Sequence, residues 1–428
     1  MLMKSLDTKC VQAGYDPKNG EPRVLPIVQS TTYVYETPEA MGDLFDLKAA
    51  GYFYTRIGNP TNAGLEDKVT ALEGGVGALG TASGMSATML AVLNLASSGD
   101  NFVASSNIYG GTYNLFNVTL RRMGIDCRFV DNDTSIEDIE SKIDDNTKFI
   151  FIETIANPAG KVADFEKFSK VAKANGLVLM CDNTISTPYI CRPFEHGANV
   201  IVHASTKYLD GHATSVGGLI VDGGNFEYLG NPRYPLFNNP DDSYHGMVFA
   251  RDFGSACFIT RARVVGMRDL GAIMAPMNAF LTVLGIDTLH LSMPRHSDNA
   301  LAVAKALKAS DAVEWVKYAG LEDDPDHARA QKYFDNCYCA GMVSFGIKGG
   351  KEAAMKFQKA LKLFRIVTHI ADSRSCVLHP ATTTHRQLSD KDLEAAGVPA
   401  NLIRLSVGTE GIEDILADVL GALEASKQ

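Results

Sequence analysis

Between about residues 61 and 221 the chain alternates short, unbroken apolar runs with longer stretches in which apolar residues recur at helical spacing. Leu177-Val178-Leu179-Met180-Cys181 and Val200-Ile201-Val202 carry no polar alternation. They read as strands covered on both faces, as a parallel sheet between helices requires. Phe102-Val103-Ala104 and Phe149-Ile150-Phe151-Ile152 repeat the pattern, while Leu65 to Glu73 and Met85 to Ser97 show the helical period. This rhythm predicts an α/β fold with a mostly parallel central sheet between helices and right-handed βαβ crossovers. In such a sheet, ligands bind outside the carboxyl ends of the strands.

Outside this region the rhythm changes. Residues 1–60 carry Pro17, Pro22, Pro26, Pro38 and Pro60 with little periodicity, which predicts an arm wrapped on another surface. The segment Asn225 to Arg251, with its prolines, asparagines and aromatics and the run Asp241-Asp242-Ser243-Tyr244-His245-Gly246, predicts a long irregular excursion, and such loops are usually functional or disordered. After Arg268-Asp269-Leu270-Gly271 a long helical stretch through Leu307 leads into a smaller α+β unit, with strands at Met342 to Ile347 and Ile403 to Val407. In the last helix Ile412, Ile415, Leu416, Val419, Leu420 and Leu423 share a face, and Glu413 and Asp414 sit at its positive end. The expected division is an arm at 1–60, a large domain at 61–273 and a small domain at 274–428.

At 428 residues, with 46% hydrophobic and 21% charged positions, the chain is long enough for a large core. A formal charge of -10 argues against a nucleic-acid surface and favours small metabolites as partners. Residues 1–10 lack the apolar stretch of a secretory signal, and the longest apolar segment, around Met89 to Ala96, is too short to span a bilayer. A cytoplasmic protein with no membrane partner is expected. The eight cysteines have no paired spacing apart from Cys337 and Cys339 and read as reduced thiols. No disulfide and no metal site is assigned; His379 and His385 lack matching ligands.

Polar residues fall where the predicted strands end. Lys207, in His203-Ala204-Ser205-Thr206-Lys207-Tyr208, follows one buried strand, and Asp182 ends its neighbour. Such an amine can hold an aldehyde cofactor, pyridoxal 5'-phosphate (PLP), as a Schiff base. The carboxylate then keeps the pyridine nitrogen protonated, so that the ring accepts electrons from the substrate α-carbon. Taken singly, Lys207 reads as a surface lysine and Asp182 as a cap for Asn183-Thr184; the pair favours the cofactor. Burial lowers a lysine's pKa and makes it a usable base. Ser83-Gly84-Met85-Ser86-Ala87 opens a helical run whose amides would face a phosphate, with Gly84 permitting close approach and Thr206 adding a hydroxyl; an ordinary capped helix start is the alternative. Tyr109 can lay its ring on a flat cofactor, and Asn157-Pro158 follows the Phe149 strand. Arg404, in the alternating Ile403-Arg404-Leu405-Ser406-Val407, suits a carboxylate through two parallel bonds, or else is a surface strand residue. Glu73-Gly74-Gly75-Val76-Gly77 lacks the strand-then-helix context of a dinucleotide loop and is rejected as one.

Eight ordered segments resemble the Cys/Met-metabolism family of fold-type I, aspartate aminotransferase-like PLP enzymes. They are Tyr54-Thr55-Arg56 with Asn59-Pro60-Thr61, Ala82-Ser83-Gly84-Met85, Tyr109-Gly110-Gly111-Thr112, Glu153 to Pro158, Asp182-Asn183-Thr184, Ser205-Thr206-Lys207-Tyr208, His379-Pro380 with Thr384-His385, and Arg404-Leu405-Ser406-Val407-Gly408. The resemblance implies that Lys207 is the Schiff-base lysine, Asp182 the pyridinium partner and Tyr109 the stacking ring and acid/base. Asn157 would contact cofactor and substrate, and Arg404 would anchor the substrate carboxylate. Gly84, Met85 and Thr206 would hold the phosphate, and Tyr54 and Arg56 would reach the phosphate of a neighbouring subunit in a tetramer built from two dimers. Ser243-Tyr244-His245-Gly246, Asn278-Ala279-Phe280-Leu281 and Gly285-Ile286-Asp287-Thr288-Leu289 are most similar to the O-acetylhomoserine sulfhydrylases within the family. That likeness implies replacement of acetate in O-acetyl-L-homoserine by sulfide or a thiol, giving homocysteine for methionine biosynthesis. A γ-lyase releasing 2-oxobutyrate and a catalytically silent binding homologue are the alternatives. There are two departures: many relatives carry Ser where this chain has Ala204, so no phosphate role is carried onto Ser205, and relatives commonly carry Asn or Ser and then Gly where it has His369 and Ala371, which bears on substrate preference.

Overall fold

A computed structural model describes residues 3–383, 386 and 399–427; Thr384 and His385 of the segments above lie outside them. The proline-rich N-terminal segment contains two short helices, Leu6–Gln12 (α1) and Pro38–Phe45 (α2), each opened by a hydroxyl cap from Ser5 or Thr37. The next helix, Pro60–Glu73 (α3), starts five residues before the apolar period that announces it. Its start is set by capping: Asn59 Oδ1 accepts the Thr61 N–H at 2.9 Å, and Pro60 takes the first position, where a missing N–H has no consequence. Gly74, at φ 80°, ends α3 in the left-handed conformation that glycine adopts without strain.

Seven strands follow: Gly77–Thr81 (β1), Asn101–Ser105 (β2), Asp126–Val130 (β3), Thr147–Glu153 (β4), Val178–Asp182 (β5), Val200–His203 (β6) and Gly218–Asp222 (β7). They form one sheet in the order β1-β7-β6-β5-β4-β2-β3. The pairs from β3 through β6 are parallel, and β7 runs antiparallel to both β6 and β1. Alternate residues of each strand enter opposite cores. Phe102, Ala104, Phe149, Phe151, Met180 and Val202 pack with Ala87, Leu90 and Ala91 of the helix Gly84–Leu95 (α4). Val103, Ile150, Ile152, Leu179, Cys181 and Ile201 pack with Leu65, Val69 and Leu72 of α3 and with Phe165 and Phe168 of the helix Phe165–Ala174. Burial on both faces explains the unbroken apolar runs, since each large side chain so covered stabilises by about 1.5–3 kcal/mol.

The predicted long helical stretch is two helices, Pro276–Asp287 and Leu289–Ala309, broken at Thr288. Beyond them Val313–Lys317 (β8), Met342–Ile347 (β9), Arg365–Ile366 (β10), Cys376–Leu378 (β11) and Leu402–Ser406 (β12) form a second sheet in the order β10-β11-β12-β9-β8. The closing helix Ile412–Ser426 buries Ile415, Val419 and Leu423, as its period predicts. Residues 225–251 lack long elements, in line with the expectation, but they are a piece of the core. Tyr228, Tyr234, Phe237 and Phe249 are buried, and the Tyr228 and Phe237 rings stack at 4.4 Å. Large aromatic areas bury without any periodic pattern, which is why this role escapes a search for periodicity. Among the described residues no helix is long and apolar enough to cross a membrane, and no cluster of three or more His, Cys, Asp or Glu is placed to hold a metal.

Candidate active site

The carboxyl ends of β4, β5 and β6 open on a cavity of about 410 Å³. Eight of the ten sequence-predicted residues line it: Gly84, Met85, Tyr109, Asn157, Asp182, Thr206, Lys207 and Arg404. Tyr54 and Arg56 do not. They line a separate cavity of about 590 Å³ with Tyr244 and Arg268; the Arg56 guanidinium lies 5.3 Å over the Tyr54 ring and donates to the Arg268 carbonyl.

Asp182 ends β5 beside Glu153, its register partner at the end of β4. The Thr184 amide (2.9 Å) and hydroxyl (2.5 Å) both donate to Asp182 Oδ1, while Oδ2 makes no hydrogen bond among the described residues. The turn therefore engages one oxygen of this side chain and leaves the other without a partner among the described residues. Burial raises the pKa of Asp182, and burial together with the neighbouring Asp182 raises Glu153 well above the ordinary carboxyl range. Two buried acids side by side favour a cation between them, and a protonated pyridine nitrogen fits that environment.

Glu153 was not singled out from the sequence, yet its Oε1 accepts the Tyr109 N–H at 2.7 Å and so fixes the chain beneath the Tyr109 ring. Glu73, read there only as part of a rejected glycine-rich loop, is fully buried. Its Oε1 accepts from Asn183 Nδ2 at 2.9 Å and lies 2.7 Å from His203 Nε2, tying together the tips of β5 and β6. The signal available for both was an acidic residue at the last position of its element, next to apolar neighbours.

Helix α4 starts at the edge of the cavity. Ser83 Oγ accepts the Ser86 amide at 3.1 Å, and the Gly84 and Met85 amides, in the first turn, have no intrahelical acceptor. With twelve residues of dipole behind them they suit a phosphate. A side chain at position 84 would put its Cβ 2.5 Å from that of Ala204, so the strand tip and the helix start require glycine there. Thr206 Oγ1 is already engaged with both the amide and the carbonyl of Gly217, each at 3.1 Å, which fixes the hydroxyl at the cavity wall. The Tyr109 ring folds over Gly111, where a Cβ would meet it at 2.4 Å.

Lys207 Nζ lies 3.3 Å from His369 Nδ1. Burial, and then the Arg404 charge, lower its pKa to about 8, within reach of a working base. Arg404, in β12, is buried and has no carboxylate partner among the described residues. Nη1 donates to Asn157 Oδ1 at 3.1 Å, Nη2 to the His369 carbonyl at 3.3 Å, and Nε has no partner. Burial lowers its pKa to about 10 and leaves it a cation at neutral pH. A buried guanidinium with an unused donor and no counter-charge among the described residues is suited to an incoming carboxylate.

Comparison with known proteins points the same way. Residues 7–424 match the family model described as Cys/Met metabolism PLP-dependent enzyme. The chain is 44% identical to the O-acetyl-L-homoserine sulfhydrylase of Leptospira meyeri, over 98% of this chain and 96% of that one. It is also 44% identical to the homocysteine synthase of Schizosaccharomyces pombe, over 98% of each. A crystal structure from Campylobacter jejuni that contains N'-pyridoxyl-lysine-5'-monophosphate superimposes with a TM-score of 0.94 at 38% identity, covering 98% of this chain and all of that one. A lysine and a carboxylate at neighbouring strand tips, a phosphate cradle and a near-complete match in sequence and backbone have one common explanation: the chain belongs to the Cys/Met-metabolism family of PLP-dependent enzymes.

Proposed function

We propose that this enzyme is an O-acetyl-L-homoserine sulfhydrylase, replacing the acetate of O-acetyl-L-homoserine with sulfide to give homocysteine. The observation that carries the site assignment is the joining, in one cavity, of Lys207, Asp182 and the uncompensated Arg404. The choice of reaction is supported by the names of the relatives that align end to end. In this reading Gly84, Met85 and Thr206 hold the cofactor phosphate, Asp182 pairs with the ring nitrogen, Tyr109 covers the ring and Lys207 is the covalent anchor. Bound there, PLP supplies an electron sink for the substrate α-carbon. Arg404 and Asn157 hold the substrate carboxylate. Lys207, released by the substrate amine, takes the α-proton and then a β-proton, acetate departs from the γ-carbon, sulfide takes its place, and protons return to the β- and α-carbons to give homocysteine. Incubation with O-acetyl-L-homoserine should give homocysteine and acetate only when sulfide is present. Predominant 2-oxobutyrate with ammonia would assign a γ-lyase instead, and a colourless protein that takes up no PLP would assign a silent homologue.

We further infer that Tyr54 and Arg56 complete the phosphate site of a neighbouring subunit, in a tetramer of two dimers, and that the functional division follows 1–60, 61–273 and 274–428. Two features support this: both residues lie apart from the Lys207 cavity, and the arm exposes large apolar side chains, with Val34 at 98% and Phe45 at 57% of full exposure. An equimolar mixture of Lys207→Ala and Arg56→Ala chains, refolded together, should recover about a quarter of the wild-type activity. Half of the dimers are then mixed, with one of their two sites intact. Recovery no greater than the sum of the separate parents would place Arg56 in its own subunit's site. We read the enzyme as cytoplasmic, where its eight free thiols suit a reducing compartment.

A further inference from the structure

His369 stands on the segment between β10 and β11, 162 residues from Lys207 in sequence and 3.3 Å from it in space. Its imidazole has no other hydrogen-bond partner among the described residues: Nδ1 meets Lys207 Nζ, and Nε2, although buried, meets nothing. His379, by contrast, has both ring nitrogens occupied, one by the Thr382 hydroxyl and one by the Ala400 carbonyl. The main chain of the same residue is tied to the other end of the cavity, because its carbonyl accepts from Arg404 Nη2 and from Cys376 Sγ, each at 3.3 Å. Two residues on, Ala371 takes the left-handed conformation at φ 65° and donates its N–H to Ser406 Oγ at 2.8 Å, which sets the course of the segment across β12.

We propose that His369 is a positioning residue for Lys207: its neutral imidazole accepts a hydrogen bond from the lysine nitrogen whenever that nitrogen is not bonded to the cofactor. This also joins the base to the carboxylate anchor through one residue, with the lysine on the side chain and Arg404 on the carbonyl. The proposal rests on Lys207 being the cofactor lysine and is independent of which sulfur compound reacts. The tautomer follows from the charges. Burial and the neighbouring Lys207 hold the imidazole pKa down to about 4, so at neutral pH the ring is uncharged, Nδ1 is the acceptor and the proton is on Nε2. The groups facing Lys207 are His369, Arg404 and Cys376, with Tyr109, Glu153 and Asp182 across the cavity; Asp210, Asp372 and Arg404 face His369.

An acceptor on the ammonium form raises a lysine pKa, and its removal lowers it. Admission of water into vacated space does the opposite, so the sign of the shift separates a hydrogen-bonding role from a space-filling one. The full-length chain, freed of PLP, is treated with acetic anhydride over a pH series. Labelling of Lys207 is read by peptide mass spectrometry against exposed lysines such as Lys351. His369→Phe, which keeps a flat ring without nitrogen, should lower the Lys207 midpoint by about one unit, tenfold in proton affinity. His369→Gln, which retains an acceptor, should leave the midpoint near that of the parent. In the holoenzyme, the pH profile for exchange of the α-proton of L-norvaline, which has no leaving group, should move in the same direction.

An unchanged or raised midpoint in His369→Phe, or equal shifts in the Phe and Gln variants, would overturn the proposal. If His369→Phe does not fold, His369→Leu serves the same comparison. Neither readout uses O-acetyl-L-homoserine or sulfide, so failure here is distinct from failure of the sulfhydrylase reading.

Discussion

Replacement of Lys207 by alanine is expected to abolish homocysteine formation and, with it, the visible absorbance of the purified protein. Two losses coincide. The cofactor is no longer held covalently, and the only amine among the described residues that line the cavity disappears from the reacting carbons. A positioned general base alone is worth roughly 10² to 10⁴ in rate; with the anchor lost as well, turnover should fall by about 10⁴-fold or more. Among the described residues Lys207 makes one side-chain hydrogen bond, to His369, so the fold should survive, which thermal unfolding of the variant checks. Measurable turnover with colour retained would remove Lys207 from both roles.

Asp182→Asn should have the second largest effect. Asparagine keeps the shape and, through its carbonyl, the two Thr184 bonds now made by Oδ1, but it supplies no negative charge to a ring nitrogen. Removing one partner of a buried ion pair costs about 3–5 kcal/mol, which corresponds to a loss of roughly 10²- to 10⁴-fold in kcat. Weaker retention of PLP should accompany it, measured by the rate at which excess apo-acceptor or dialysis strips the cofactor. Full activity in this variant would move the electrostatic role to Glu153, the adjacent buried acid.

Much of this was legible in the chain. Buried parallel strands advertise themselves by unbroken apolar runs, and the residues that end those runs are forced to one edge, so Lys207, Asp182, Asn157, Tyr109 and Gly84 are legible as neighbours, and all five line one cavity. The start of α3 was missed because Asn59-Pro60 is a helix opening as well as a proline-rich arm ending, and capping, not periodicity, decides between them. The antiparallel insertion of β7 between β1 and β6 leaves no trace in the apolar pattern, because a strand buried on both faces looks alike in either direction. Residues 225–251 show an irregular excursion in the sequence because their aromatics follow no period, and the burial of those rings, which makes the segment part of the core, is visible only in the fold.

What could be read along the chain was local: the buried strands with unbroken apolar runs, the amphipathic closing helix, and the chemical groups that stand at the strand ends. Each of these depends on neighbours within a few residues. Tertiary structure alone decided the pairings across long separations: Glu153 beside Asp182, Glu73 under His203 and Asn183, Arg404 against Asn157 and the His369 carbonyl, and His369 against Lys207. It also kept Tyr54 and Arg56 out of their own chain's cavity. The reason is that the burial and electrostatics that tune these groups arise only when strand register and packing bring distant side chains into one low-dielectric space, and no spacing along the chain encodes that distance.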